Sequence, residues 1–177
     1  SAKCRSDMTD AWEAHGLWKA FQDDYAERFS NDRYVVRPSP LGAELYYDAF
    51  VGRAANEYLQ SYDRPEPWMC WVCFPGPHEP WDTPEPYASM YSPEDMPSPA
   101  GAPGSIDGRP KGILDDRLAK APLADRPEQV QRMRADYAGN VSLIDDRIGE
   151  ILETIERRGE MDNTAIVLSS DHGEHNG

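Results

Sequence analysis

Two short stretches of this 177-residue chain place chemically capable side chains next to each other. One is Ser169-Ser170-Asp171-His172-Gly173. Asp171 offers a hard carboxylate oxygen and His172 a borderline imidazole nitrogen, and the pair suits a divalent cation. Two adjacent ligands do not complete a coordination shell, so others must come from elsewhere. Gly173 allows a sharp turn or a close backbone approach. The other stretch is Pro75-Gly76-Pro77-His78-Glu79-Pro80, a proline-framed loop that presents His78.

The elements that must hold these residues read as α/β. Ala165-Ile166-Val167-Leu168 runs straight into the Asp-His pair, and Trp68 to Phe74 (W-M-C-W-V-C-F) runs straight into the His78 loop. Both are uninterrupted apolar runs of strand length, the signature of strands covered on both faces of a parallel sheet. Ligands of open α/β sheets bind beyond the carboxyl ends of the strands, so the two ends are expected to face one crevice. In this reading Cys70-Trp71-Val72-Cys73 is buried strand, despite its C-x-x-C spacing.

Residues 10–29 carry Trp12, Leu17, Trp18, Phe21 and Tyr25 at helical spacing, enough for one short helix or two. A helix is expected over 42–62, with Leu45, Ala49, Val51, Ala55, Tyr58 and Leu59 on its buried face and Glu44, Asp48, Arg53 and Glu57 mostly outside it. A long helix is expected from Pro127 or Glu128 to about Arg158, opened by Pro127 and closed by Gly159. Each helix leads into one of the two strands, the usual α/β order. Between them, residues 81–127 form a long Pro- and Gly-rich connection without periodicity, expected to wrap over the site or the surface. Trp68, Trp71 and Tyr137 are expected in the core.

Composition narrows the function. There are 32 Asp and Glu against 18 Lys and Arg, a net charge of -14. That argues against a nucleic-acid partner, which needs a basic footprint. No apolar run is long enough to span a membrane. Hydrophobic residues are 39% of the chain and 16 are proline, with a mean hydropathy of -0.75. This is a meagre supply for an independent doubly wound domain, and it points to part of a larger unit.

Three segments in order, F-P-G-P-H-E-P-W-D-T-P-E-P-Y (74–87), Y-A-G-N-V-S-L-I-D-D-R-I-G-E-I-L (137–152) and D-N-T-A-I-V-L-S-S-D-H-G-E (162–174), resemble the sulfatase family of the alkaline-phosphatase-like superfamily. R-P-S-P-L (37–41) and Y-D-A-F-V-G-R (47–53) add to the likeness. The resemblance implies a partial alkaline-phosphatase-like fold. It implies that Asp171 is a divalent-metal ligand, most often to Ca2+ (Mg2+ or Mn2+ being alternatives), with His172 at the neighbouring ligand position. It implies that His78 is the active-site histidine that contacts a small sulfate ester. The family's C/S-x-P-S-R motif, source of its formylglycine nucleophile, has no counterpart here. Nor do its first-strand acidic pair and its G-K-W-H-x-G segment. Residues 1–177 are therefore expected to be an internal piece of one catalytic domain, inactive alone, of a sulfuric ester hydrolase. The alternatives are a phosphate or phosphonate ester hydrolase of the same superfamily and a non-catalytic metal-binding scaffold. Neither the substrate alcohol nor the oligomeric state follows from the sequence.

Overall fold

A computed structural model describes residues 6–99 and 123–174, apart from the side chain of residue 124. Its regular elements are helical: α1 (Asp7–Ala14), α2 (Trp18–Asn31), α3 (Gly42–Leu45), α4 (Tyr47–Ser61) and α5 (Pro127–Arg157), with single 3-10 turns at Tyr87–Ser89, Pro93–Asp95, Leu123–Asp125 and Met161–Asn163.

The helices begin and end where local chemistry dictates. Ser6 and Thr9 form a reciprocal capping box on α1, each side chain accepting the other's backbone N–H. Gly16, at φ 70°, turns the chain between α1 and α2, so the aromatic stretch becomes two helices. α5 opens on Pro127 and is followed by Gly159 at φ 69°, a left-handed position that favours glycine. With 31 residues α5 is the spine of the molecule, and α4 packs along it. Their approach is close: a Cβ on Gly52 would lie 2.7 Å from the Arg147 Cβ. Arg158 ties the far end of α4 to α5, its guanidinium donating to the Tyr62 carbonyl at 2.9 Å. The core gathers Trp12, Leu41, Tyr46, Ala49, Tyr87 and Leu143. The Trp12 indole N–H donates to the Leu45 carbonyl at 2.7 Å, satisfying an end group of α3.

The α/β expectation is overturned: the described residues contain no strand and no sheet. Neither apolar run carries regular secondary structure, and neither is paired in a ladder. Met69 and Trp71 are 83% and 82% exposed, and Val167 and Leu168 89% and 82%. A strand is a partnership of backbone hydrogen bonds, and an apolar run only announces that it needs covering. Here the described residues supply no neighbouring strand. Cys70 is half-buried and Cys73 exposed, both free thiols rather than strand core. Of the three aromatics assigned to the core, Trp71 is exposed, while Trp68 and Tyr137 are half-buried. Trp68 is held by its indole N–H, which donates to Glu160 Oε2 at 2.8 Å. Tyr58, expected inside, is 42% exposed. The 81–127 connection does not start as a surface wrap: Trp81, Asp82, Thr83, Pro84 and Tyr87 are all buried. Its residues 100–122 lie outside the described part.

Leu143 is 1% exposed in the core, whereas Val141, two residues away on the same helix, is 44% exposed. Leu143→Ala is expected to lower the unfolding free energy by about 2–5 kcal/mol. Val141→Ala should lower it by less than about 0.5 kcal/mol, as surface changes do. Urea unfolding of both variants checks the contrast.

Candidate active site

The loop that follows Phe74 is where helices α2, α4 and α5 converge. Gly76 donates its backbone N–H to Asp48 Oδ1 on α4 at 2.9 Å. The Trp81 carbonyl accepts from Arg28 of α2 at 3.2 Å and from the Arg37 backbone N–H at 3.2 Å. Asp82 Oδ1 accepts from the Tyr46 and Tyr47 hydroxyls at 2.8 and 2.9 Å. Thr83 donates its N–H to Asp136 Oδ1 of α5 at 3.1 Å. Tyr87 donates its hydroxyl to Asp146 Oδ2 at 2.6 Å. Tight packing completes the seam: a Cβ on Gly139 would meet the Tyr87 carbonyl oxygen at 2.3 Å.

The electrostatics of this seam follow from burial. Arg28 is 1% exposed, yet its charge is met by Asp24 and by the Val35, Trp81 and Arg37 carbonyls. Burial pushes the Asp48 carboxyl up to about 6, against the opposing pull of the Gly76 N–H and the Asn140 amide. The Asn140 amide stands beside Asp48 without reaching hydrogen-bond geometry to Oδ2. Burial also raises Asp82, offset by the two tyrosine hydroxyls and Arg28. Tyr46 and Tyr47 are themselves raised by burial and then by Asp82. Asp136 is pushed up to about 7, again chiefly by burial. Oδ1 accepts the Thr83 N–H at 3.1 Å, and the Thr83 hydroxyl stands 3.0 Å from both Oδ2 and the Asp136 carbonyl, with one proton to donate between them.

His78 stands exposed between these anchored ends. Its Nδ1 lies 2.9 Å from the Glu79 carbonyl. A carbonyl can only accept, so Nδ1 carries the proton and Nε2 is the nitrogen left for a substrate. Glu79 is ion-paired with Arg33. Asp171 and His172 sit together in an exposed segment without regular structure, Asp171 at a bend: Asp171 Oδ1 accepts the His172 N–H at 2.8 Å, and Oδ2 lies 3.6 Å from His172 Nε2. The His172 imidazole is raised, first by its bond to the Gly173 carbonyl and then by the Asp171 charge. No hydrogen bond or ion pair joins this pair to His78 among the described residues, and those residues hold no group of three metal-competent side chains. As donors, Asp171 and His172 therefore fit part of a divalent-cation site and need ligands from outside the described residues. His175 also lies outside them.

Sequence reasoning placed His78 on its loop but missed what holds the loop. Asp48 was assigned to the outer face of its helix and is instead fully buried. The signal was available: Asp48, Gly52, Ala55 and Leu59 follow i, i+4, i+7, i+11, one stripe of a helix. A carboxylate on that stripe announces a buried partner.

Residues 3–177 match the family described as Sulfatase, and the chain belongs to that family. It is similar to a multifunctional alkaline phosphatase superfamily protein, PehA, of Trinickia caryophylli, 29% identical over 154 residues, which covers 80% of this chain and 30% of the relative. It is similar to an arylsulfatase of Clostridium perfringens, 28% identical over 142 residues, covering 80% of this chain and 29% of the relative. It is also similar to a choline-sulfatase of Rhizobium meliloti, 29% identical over 144 residues, covering 74% and 27% respectively. The chain thus spans less than a third of the length of these curated relatives.

The raised Asp136 carboxyl makes a stability prediction. An acid whose pKa rises from about 3.9 unfolded to about 7 folded is favoured in its protonated, folded form. That contribution is complete below the unfolded value and is lost as pH climbs through about 7. Asp48 acts in the same direction up to about 6. Asp136→Asn preserves the Thr83 bonds without a titrating proton. It is expected to flatten the decline of unfolding free energy between about pH 4 and pH 8, by more than about 1 kcal/mol across that range. Denaturant titrations over a pH series measure it.

Proposed function

We propose that this chain is part of the catalytic domain of a divalent-metal-dependent sulfatase that hydrolyses small sulfate esters. The observation that carries the reading is the His78 loop. In a chain of the Sulfatase family, it offers one histidine whose Nδ1 is committed to backbone and whose Nε2 is open, on a backbone fixed at both ends. Cleavage of a sulfate ester leaves negative charge on the departing oxygen, and His78 as an imidazolium, with Nδ1–H kept on the Glu79 carbonyl, would deliver the Nε2 proton to it. The loop's anchoring means that little reorganisation is needed at the moment of transfer. A divalent cation, most simply Ca2+ with Mg2+ or Mn2+ as alternatives, held by Asp171, His172 and ligands from outside the described residues, would polarise the sulfuryl oxygens. The nucleophile, a formylglycine in the sulfatase pattern, is supplied by another segment of the longer protein. The similarity to a multifunctional superfamily member makes a phosphate ester hydrolase the reading to test alongside.

In the full-length enzyme, 4-nitrophenyl sulfate is expected to be turned over faster than 4-nitrophenyl phosphate or a phenylphosphonate ester. The reverse order would transfer the assignment to phosphoryl chemistry. His78→Ala should lower kcat by about 10²- to 10⁴-fold, the range of a lost proton donor, and leave bound metal unchanged by elemental analysis. Asp171→Ala should lose metal as well as activity. Residues 1–177 alone should bind Ca2+ only weakly, because two side chains cannot satisfy its coordination number. Submicromolar binding abolished by Asp171→Ala would contradict this.

A further inference from the structure

The turn bearing His78 touches the body of the protein at few points, and the one nearest the histidine on its amino-terminal side is unusually confined. Gly76 is two residues before His78. Its N–H is held by Asp48 Oδ1 at 2.9 Å. The position a Cβ would take lies 2.3 Å from Oδ2 of the same carboxylate and 2.5 Å from Asn140 Nδ2. Asp48 is fully buried, and Asn140, reaching over from α5, is 3% exposed. The carboxylate and the amide thus make a slot that admits a glycine backbone and nothing larger. Burying a carboxylate where the first turn of α4 meets α5 is costly without a specific partner, and the partner here is the backbone of the histidine turn. Oδ2 has only the Asn140 amide beside it.

We propose that Asp48 is a positioning residue for His78, setting the reach of its imidazole towards substrate by fixing the Gly76 N–H in the Asp48–Asn140 slot. The inference rests on the reading of His78 as the group that contacts the ester. Asp48 does not touch substrate, and its effect passes through the two-residue link Gly76-Pro77 to the imidazole. On the carboxyl-terminal side the turn is already clamped by Arg28, the tyrosine pair and Asp136. Releasing Gly76 frees one end of the turn and leaves the other seated.

The test is a set of variants in the full-length enzyme, read by kcat, KM and thermal melting. Asp48→Asn keeps an oxygen for the Gly76 N–H and is expected to retain kcat within about 3-fold. Asp48→Ala removes the acceptor and should lower kcat by about 10- to 100-fold, the scale of a misplaced catalytic group, with a smaller change in KM. Gly76→Ala pushes a methyl group into the slot and should act in the same direction, which keeps the test open if Asp48→Ala does not fold. The deciding measurement is the His78→Ala background. If Asp48 acts through His78, adding Asp48→Ala there costs less than about 3-fold, because the group it positions is gone. A folded Asp48→Ala enzyme with unaltered kcat overturns the proposal. So does an Asp48→Ala penalty as large without His78 as with it, which would mark a general structural role. Full activity in His78→Ala alone refutes the underlying reading of His78 instead, so the two failures are distinguishable.

Discussion

Everything the described chain does for its histidine depends on buried carboxylates bonding to loop backbone. A proline-rich segment cannot hold itself: it lacks N–H groups at each proline and has no periodic partner. Asp48 and Asp136, from α4 and α5, accept the N–H groups of Gly76 and Thr83, while Asp82, within the loop, accepts two tyrosine hydroxyls from the start of α4. Each carboxylate is worth its desolvation only because the loop answers it. Remove the loop's donors and Asp48 and Asp136 are stranded among helices. The loop and the helix pair are therefore one cooperative unit rather than a scaffold with an ornament.

Arg28 shows the same logic with the sign reversed. Its guanidinium is spent on backbone carbonyls at Val35, Trp81 and Arg37 and on Asp24. In doing so it joins α2 to the segment before α3 and to the loop after His78. It also lowers the cost of keeping negative charge at Asp82 and Asp136. Helix α2 has its own aromatic seam, with Phe21 4.6 Å from the buried Trp12 between ring centroids, so the guanidinium is delivered by a helix already fastened to the core.

The helices were legible in the sequence because their signals are local. Pro127 and Gly159 bracket α5, and the aromatic spacing of residues 10–29 marks α1 and α2. The strands were not, because the information in Ala165-Ile166-Val167-Leu168 is relational: four apolar residues specify a need for cover but not where the cover lies. Of the candidate site, the residue types at 78, 171 and 172 were visible, and so was their order along the chain. What holds them was hidden. Asp48 reads as lying outside the apolar face although it shares the stripe of Gly52, Ala55 and Leu59, and the partnership of Thr83 with Asp136 spans 53 residues with no pattern to announce it.

The slot around Gly76 also limits how this chain can diverge. Positions 48, 76 and 140 fill one volume from three separate stretches of sequence, and none can be altered freely while the other two stand. A side chain gained at 76 demands a smaller residue at both 48 and 140. Shrinking 48 alone leaves a backbone N–H without its acceptor, and enlarging 140 drives against the same glycine. Single steps that alter side-chain size at these positions are each opposed, so descendants of this chain that keep the histidine turn should make such changes at the three positions together, with the isosteric Asp48→Asn the exception.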